Sequence, residues 1–232
     1  MLAHHLTQNP TIVLGDDTRP DGDILELGAG CGLVGLTAAT MLQNQNNGTG
    51  QSNDDKVIFT DYNPEVLDNL KRNIRLNEFD TAHEVYGLDW FDQQSDDVDA
   101  GVEAEDKEKD TWLDMEGTSR PQCRLILGAD LLVCSNDADL VASTIDAALM
   151  KGGQAIILGP DADTRFGVSS LPDACTSLGL TVLVHENILE SREEENSAVF
   201  MSELELAGYN LRASTYGHDF TMFIINKPIA SA

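Results

Sequence analysis

The sequence is short of positive charge, of cysteine and of long apolar runs, and each shortage argues against a class of function. Lysine and arginine together number 14 against 40 aspartates and glutamates, a net charge of −26. A surface of that sign repels phosphate backbones and anionic membranes and attracts basic partners, which argues against nucleic-acid binding. The 4 cysteines, Cys31, Cys123, Cys134 and Cys175, are scattered without C-x-x-C spacing. Neither a zinc site nor a disulfide framework is therefore predicted, and a reducing compartment, cytosol or nucleus, fits best. No run reaches the roughly eighteen apolar residues of a membrane span, and Met1-Leu-Ala-His-His-Leu-Thr-Gln lacks the basic-then-apolar pattern of a signal peptide. His4 and His5 are adjacent, so on a helix they point to different faces and make no metal pair. No metal site is expected.

What is present is organised around Asp23-Ile-Leu-Glu-Leu-Gly-Ala-Gly-Cys-Gly-Leu-Val-Gly35, an apolar run that breaks into glycines and resumes as an alanine-rich segment. Strand, tight loop, helix is the predicted order. Ile24, Leu25 and Leu27 suit a parallel strand buried on both faces, where in-out alternation is lost. Glu26 interrupts the run, and a carboxylate in that place needs a polar or cationic partner. Gly28, Gly30 and Gly32 let the backbone turn and approach a ligand closely, while the helix behind them aims its first amides at it. Gly30-Cys-Gly32-Leu-Val-Gly35 also matches the dinucleotide pattern G-x-G-x-x-G. Placement opposes that assignment: in a dinucleotide site the first glycine follows the strand directly, which here is Gly28, and the third position is then Leu33.

The 232 residues fit one α/β domain, 1–232. A short helix is predicted over residues 2–8, ended by Pro10, and a helix of small and apolar residues over 33–42. Residues 43–56, rich in Asn, Gln, Gly and Ser, are expected to be a disordered insertion. A second strand at 57–60 puts Asp61 at its carboxyl end, where open parallel sheets bind ligands and a carboxylate can hold ribose hydroxyls. An amphipathic helix follows from Pro64, and a third strand over 84–90. Residues 92–120 are dense in acid and poor in apolar residues, which marks a solvated insertion or a docking arm for a basic partner. Beyond them come a strand at 124–130, a helix at 137–149, a strand at 153–158, a helix at 171–178, a strand at 181–185 and a seventh strand at 221–225. Residues 190–206 are ambiguous, with Glu193 to Glu195 opening an exposed helix. Strands separated by helices at this spacing specify a doubly wound, Rossmann-like α/β sheet.

Glu26-Leu-Gly-Ala-Gly-Cys-Gly32 resembles the first motif, E/D-x-G-x-G-x-G, of the seven-strand S-adenosylmethionine-dependent methyltransferases. Thr60-Asp-Tyr-Asn-Pro-Glu-Val-Leu-Asp-Asn-Leu-Lys-Arg-Asn-Ile-Arg-Leu-Asn77 is similar to the second block of the family-16, methyltransferase-like lysine methyltransferases, T-D-x-x-x-x-V-L-x-N-L-x-x-N-x-x-x-N. Leu2-Ala-His-His-Leu6 resembles the helix before their first strand. The resemblance implies an antiparallel last strand and S-adenosylmethionine as cofactor. Its cofactor residues would be Glu26, Gly28, Gly30, Gly32, Asp61, Tyr62, Asp89, Trp90 and Ala129, with Asp89 taking the adenine amino group and Trp90 lying beside the base. Asp130 would orient a lysine amine in the acceptor channel. There the family's D-x-x-Y element reads Asp130-Leu-Leu-Val133, with Val in place of Tyr. A basic protein substrate and a monomeric enzyme are expected. A small-molecule methyltransferase and a non-catalytic module holding a basic partner are the alternatives.

Overall fold

A computed structural model describes residues 1–15, 20–49, 55–79, 82–90, 122–160, 165–186 and 220–229. In chain order its elements are α1 (Leu2–Gln8), α2 (Thr11–Leu14), β1 (Ile24–Leu27), α3 (Leu33–Thr49), β2 (Val57–Asp61), α4 (Pro64–Asn77), β3 (His83–Gly87), β4 (Cys123–Ala129), α5 (Asp137–Ala148), β5 (Leu149–Pro160), α6 (Leu171–Ser177), β6 (Thr181–His185) and β7 (Phe220–Asn226). The acidic segment at 92–120 and the ambiguous one at 190–206 lie outside the described residues.

The strands form one sheet in the order β3-β2-β1-β4-β5-β7-β6. β1 to β5 run parallel, and β7 pairs antiparallel with both β5 and β6. The chain first builds outward from β1 to β2 and β3, then returns to place β4 on β1's other side. The order therefore reverses beside β1, and a crevice opens off the carboxyl ends of the strands at such a switch point.

Each face of the sheet carries its own core. Leu25, Leu27 and Ile58 pack with Val141, Ala142 and Ile145 of α5 on one side. Ile24, Phe59 and Leu127 pack with Ala38, Ala39 and Leu42 of α3, Leu70 and Ile74 of α4, and Leu2 and Leu6 of α1 on the other. Every residue of β1 and β2 is buried, which is why neither strand alternates. At the opposite end of the sheet from the crevice, buried Arg124 pairs with Asp55 at 3.0 Å and donates to the Val13 carbonyl. Lys56 nearby pairs with Glu84 at 2.9 Å. These contacts tie the strands' starting ends together.

The insertion expected at 43–56 is corrected at both of its ends. α3 continues to Thr49 because, once nucleated, each further helical residue adds a hydrogen bond, and Gln and Asn do not break a helix as Pro would. Asp55 and Lys56 are fixed by the ion pairs just named, so only residues 50–54 of that stretch lie outside the described residues. α2 is the other addition: Pro10 ends α1 but starts a single new turn that buries Val13.

Candidate functional site

The loop between β1 and α3 is held from several sides. The Ala29 amide donates to the Thr60 carbonyl at 2.8 Å, and the Gly30 amide to Asp61 Oδ2 at 3.0 Å. The Asn73 side-chain amide on α4 donates from Nδ2 to the Cys31 carbonyl at 2.9 Å. Asn73 belongs to the second sequence block, so one residue of that block clamps the first motif. Gly30 has φ +56°, and a Cβ there would meet no atom within 4 Å. Its backbone thus faces open space, and a side chain would fill the room a ligand needs.

Gly35 is the opposite case. A Cβ there would lie 2.4 Å from Phe59 Cε1 and 2.5 Å from Glu26 Oε2. The third glycine of the apparent dinucleotide pattern therefore makes room for a buried carboxyl and a buried ring. Glu26 is 4% exposed, and its Oε2 has no hydrogen-bond partner among the described residues. Burial pushes its carboxyl up to about 8, against the pull of the Gly35 and Val34 amides in the first turn of α3, with Asp61 nearby pushing the same way as burial. At neutral pH Glu26 is thus mostly protonated. The polar partner expected from the sequence is a helix start, with one oxygen left unsatisfied.

Asp61 is nearly buried at the end of β2, where Oδ2 takes the Gly30 amide and Oδ1 the Asn63 amide at 3.0 Å. Asn63 in turn caps α4, its Oδ1 accepting from the Glu65 and Val66 amides. The Leu88 amide donates to the Asp61 carbonyl, which sets Asp89 and Trp90 beside the end of β2. Trp90 packs on the core close to Gly28, while Asp89 and Tyr62 are exposed, Tyr62 by 73%.

On the far side of β1, Ala129 ends β4 half-buried and Asp130 turns out with φ +58°, its amide donating to the Leu158 carbonyl at 2.8 Å. Arg165 grips the Asp130 carboxylate with two nitrogens, Nε to Oδ1 at 3.0 Å and Nη2 to Oδ2 at 3.3 Å. Leu131 links the two halves of the crevice: its side chain would lie 2.6 Å from a Cβ at Gly28 and 2.5 Å from one at Gly128. Val133, where an aromatic was expected, is 51% exposed.

The folded chain thus brings Glu26, Gly28, Gly30, Gly32, Asp61 and Trp90 around one loop, with Asp89 and Tyr62 at its edge and Ala129 and Asp130 across Leu131. Residues 1–105 match the model of a family described as "Lysine methyltransferase". By that match and by its fold, the chain is an S-adenosylmethionine-dependent methyltransferase. The matched region carries the loop, Asp61 and Asp89 and stops short of Asp130. No curated protein matches the methyltransferase in sequence. Among solved structures it is similar to a putative sarcosine dimethylglycine methyltransferase from Galdieria sulphuraria, at 12% identity, 98% coverage of this chain and 84% of that one, and a TM-score of 0.55. It is also similar to a phosphoethanolamine N-methyltransferase of Haemonchus contortus bound to phosphomonomethylethanolamine and S-adenosylhomocysteine, at 15% identity, 96% and 53% coverage, and a TM-score of 0.54. The [4+2]-cyclase SpnF shares the fold equally well, at 13% identity, 98% and 81% coverage, and a TM-score of 0.57. At such identities the likeness concerns fold alone.

The donor set fits S-adenosylmethionine: an open glycine backbone, carboxylates at two strand ends, an aromatic face and a buried carboxyl with a spare oxygen. Among the described residues, no group of three or more His, Cys, Asp or Glu could hold a metal ion, and no helix is long and apolar enough to cross a membrane. Sequence reasoning gave no role to Arg165. A lone arginine far along the chain carries no motif, and only the fold brings it to Asp130.

Proposed function

We propose that this methyltransferase transfers a methyl group to a side-chain nitrogen of a basic protein, lysine above all, and acts as a monomer. The observation that carries the proposal is the family match over residues 1–105, the stretch that builds the proposed cofactor loop. The net charge of −26 supports a basic partner. In this reading the backbone at Gly28, Gly30 and Gly32 receives the cofactor's amino-acid end above Glu26, and Asp61 accepts from its ribose hydroxyls. Asp89 accepts from the adenine amino group, Trp90 and Tyr62 present their rings to the base, and Ala129 lines the wall. When bound, S-adenosylmethionine supplies a methyl group already activated on a sulfonium, so the protein's own contribution is alignment and exclusion of water.

A lysine acceptor arrives protonated, since its reference pKa is ~10.4, and exposing its lone pair near pH 7 takes roughly 4 to 5 kcal/mol. Asp130 attracts the ammonium but also holds its proton, so its role is to orient the acceptor rather than to act as a general base. A small-molecule acceptor is the second reading, favoured by the exposed Val133 at the position where the resembled family has an aromatic.

Transfer of radiolabelled methyl groups from S-adenosylmethionine into a fractionated lysate, with Asp89→Ala as control, tests the proposal. A discrete labelled protein that the control abolishes is the expected result. Label confined to small molecules would select the second reading. Cofactor binding with no label in either fraction would indicate a non-catalytic module.

A further inference from the structure

The resembled motifs give Asp130 an acceptor, yet its carboxylate already has a cation. Arg165 meets it with two nitrogens, at 3.0 and 3.3 Å, and the two side chains are 34% and 57% exposed. Such a pair is geometrically good and energetically weak, because solvent screens it and competes for both partners. The backbone around it is less free. A Cβ on Gly167 would lie 2.5 Å from the Cys134 carbonyl oxygen and 3.2 Å from Leu132 Cβ, so the backbone at Gly167 runs tightly against residues 132–134. The Val168 amide also bonds back to the Arg165 carbonyl. Release of Asp130 is therefore a movement of side chains and not of the backbone where Gly167 meets residues 132–134. Val133 and Phe166, one on each of these abutting segments, are 51% and 71% exposed. Together they offer apolar surface to an aliphatic stem that ends in a charge.

We propose that Arg165 is a specificity-determining residue, a resident counter-ion at Asp130 with which a cationic acceptor exchanges on binding. The proposal rests on the lysine reading above and deepens it. Selectivity follows from the exchange. An acceptor must present a positive charge to displace a guanidinium, whereas an uncharged one of the same shape leaves the pair intact.

The test is NMR of the isotope-labelled full chain, watching the Arg165 Nε–H signal, assigned by its loss in Arg165→Gln. The titrants are n-butylammonium chloride, an equal concentration of sodium chloride, and 1-butanol. The signal is expected to move towards its position in Asp130→Asn with the ammonium and to stay put with the other two. In Arg165→Gln the ammonium is expected to bind roughly two- to fivefold more tightly, read on the Gly128 and Leu131 amides, the size of effect a competing surface pair supplies. A signal that ignores the ammonium, or answers all three titrants alike, would overturn the exchange, as would unchanged or weaker binding in Arg165→Gln. Methyl transfer into protein with an unmoved Arg165 signal would retire the exchange and leave the lysine reading standing. An ammonium-specific shift with no transfer into any protein would do the reverse.

Discussion

The loop that reaches towards the cofactor is held by Thr60, Asp61 and Asn73, whereas across Leu131 the Asp130 side chain is held by an arginine that is itself partly in water. On the first side the glycines are either forced by packing, as at Gly35, or left bare towards open space, as at Gly30. On the second side the sequence departs from the resembled motif at Val133, and the family match has already ended. On the proposed function, a fixed cofactor half and a loosely held acceptor half suit a scaffold on which one cofactor serves many acceptors, since function on a shared fold resides in its grafted sites.

The largest expected effect probes how deeply the fixed half is committed. Glu26 titrates near 8 in the folded chain and near its ordinary 4.5 when unfolded. Between those values the unfolded state has released a proton that the folded state still holds, so wild-type stability falls as pH rises through the interval and the loss is complete above about 8. Glu26→Gln removes that dependence. In urea titrations without cofactor, the stability of Glu26→Gln relative to wild type should rise by up to about 4 kcal/mol between pH 5 and pH 8. A flat difference would mean that the carboxyl is solvated and the half less rigid than described.

Next in size is a contrast between two glycines. Gly35→Ala drives a methyl group into Phe59 and Glu26 and should lower stability by roughly 1–3 kcal/mol, seen as a fall in the urea midpoint. Gly30→Ala meets no neighbour, so beyond the modest strain of its positive φ its main effect should fall on cofactor affinity. If both variants lose stability equally, the distinction between packed and ligand-facing glycines fails.

The smallest effect belongs to the loose half. Val133→Tyr places a ring where the acceptor is expected, and a cation near an exposed ring gains enough to lower KM for a protein acceptor roughly two- to fivefold, with kcat little changed. An unaltered KM would put the acceptor elsewhere.

The same division governs what could be read from residues. Buried parallel strands announce themselves as unbroken apolar runs, so β1 and β2 and the carboxylate ending β2 were legible, as was the antiparallel β7 once the family resemblance was drawn. Helix ends and polar tails were less so: residues 43–49 carry no apolar stripe, yet α3 continues through them, because propagation needs only backbone bonds. Gly35 was visible but pointed to the wrong cofactor, since the pattern G-x-G-x-x-G cannot tell a glycine beneath a pyrophosphate from one above a buried carboxyl. Arg165 was illegible in principle, its partner being 35 residues away in sequence and joined to it only by the path of β5.

The central claim is that the loop and Asp61 form a site for S-adenosylmethionine and not for a dinucleotide. Isothermal titration of the wild-type chain and of Asp61→Ala with S-adenosylhomocysteine and with NADH tests it directly. The expected result is stoichiometric binding of S-adenosylhomocysteine, weakened about 10- to 100-fold in Asp61→Ala as a charged hydrogen-bond acceptor is lost, and no binding of NADH. Binding of NADH, or S-adenosylhomocysteine affinity indifferent to Asp61, would contradict it.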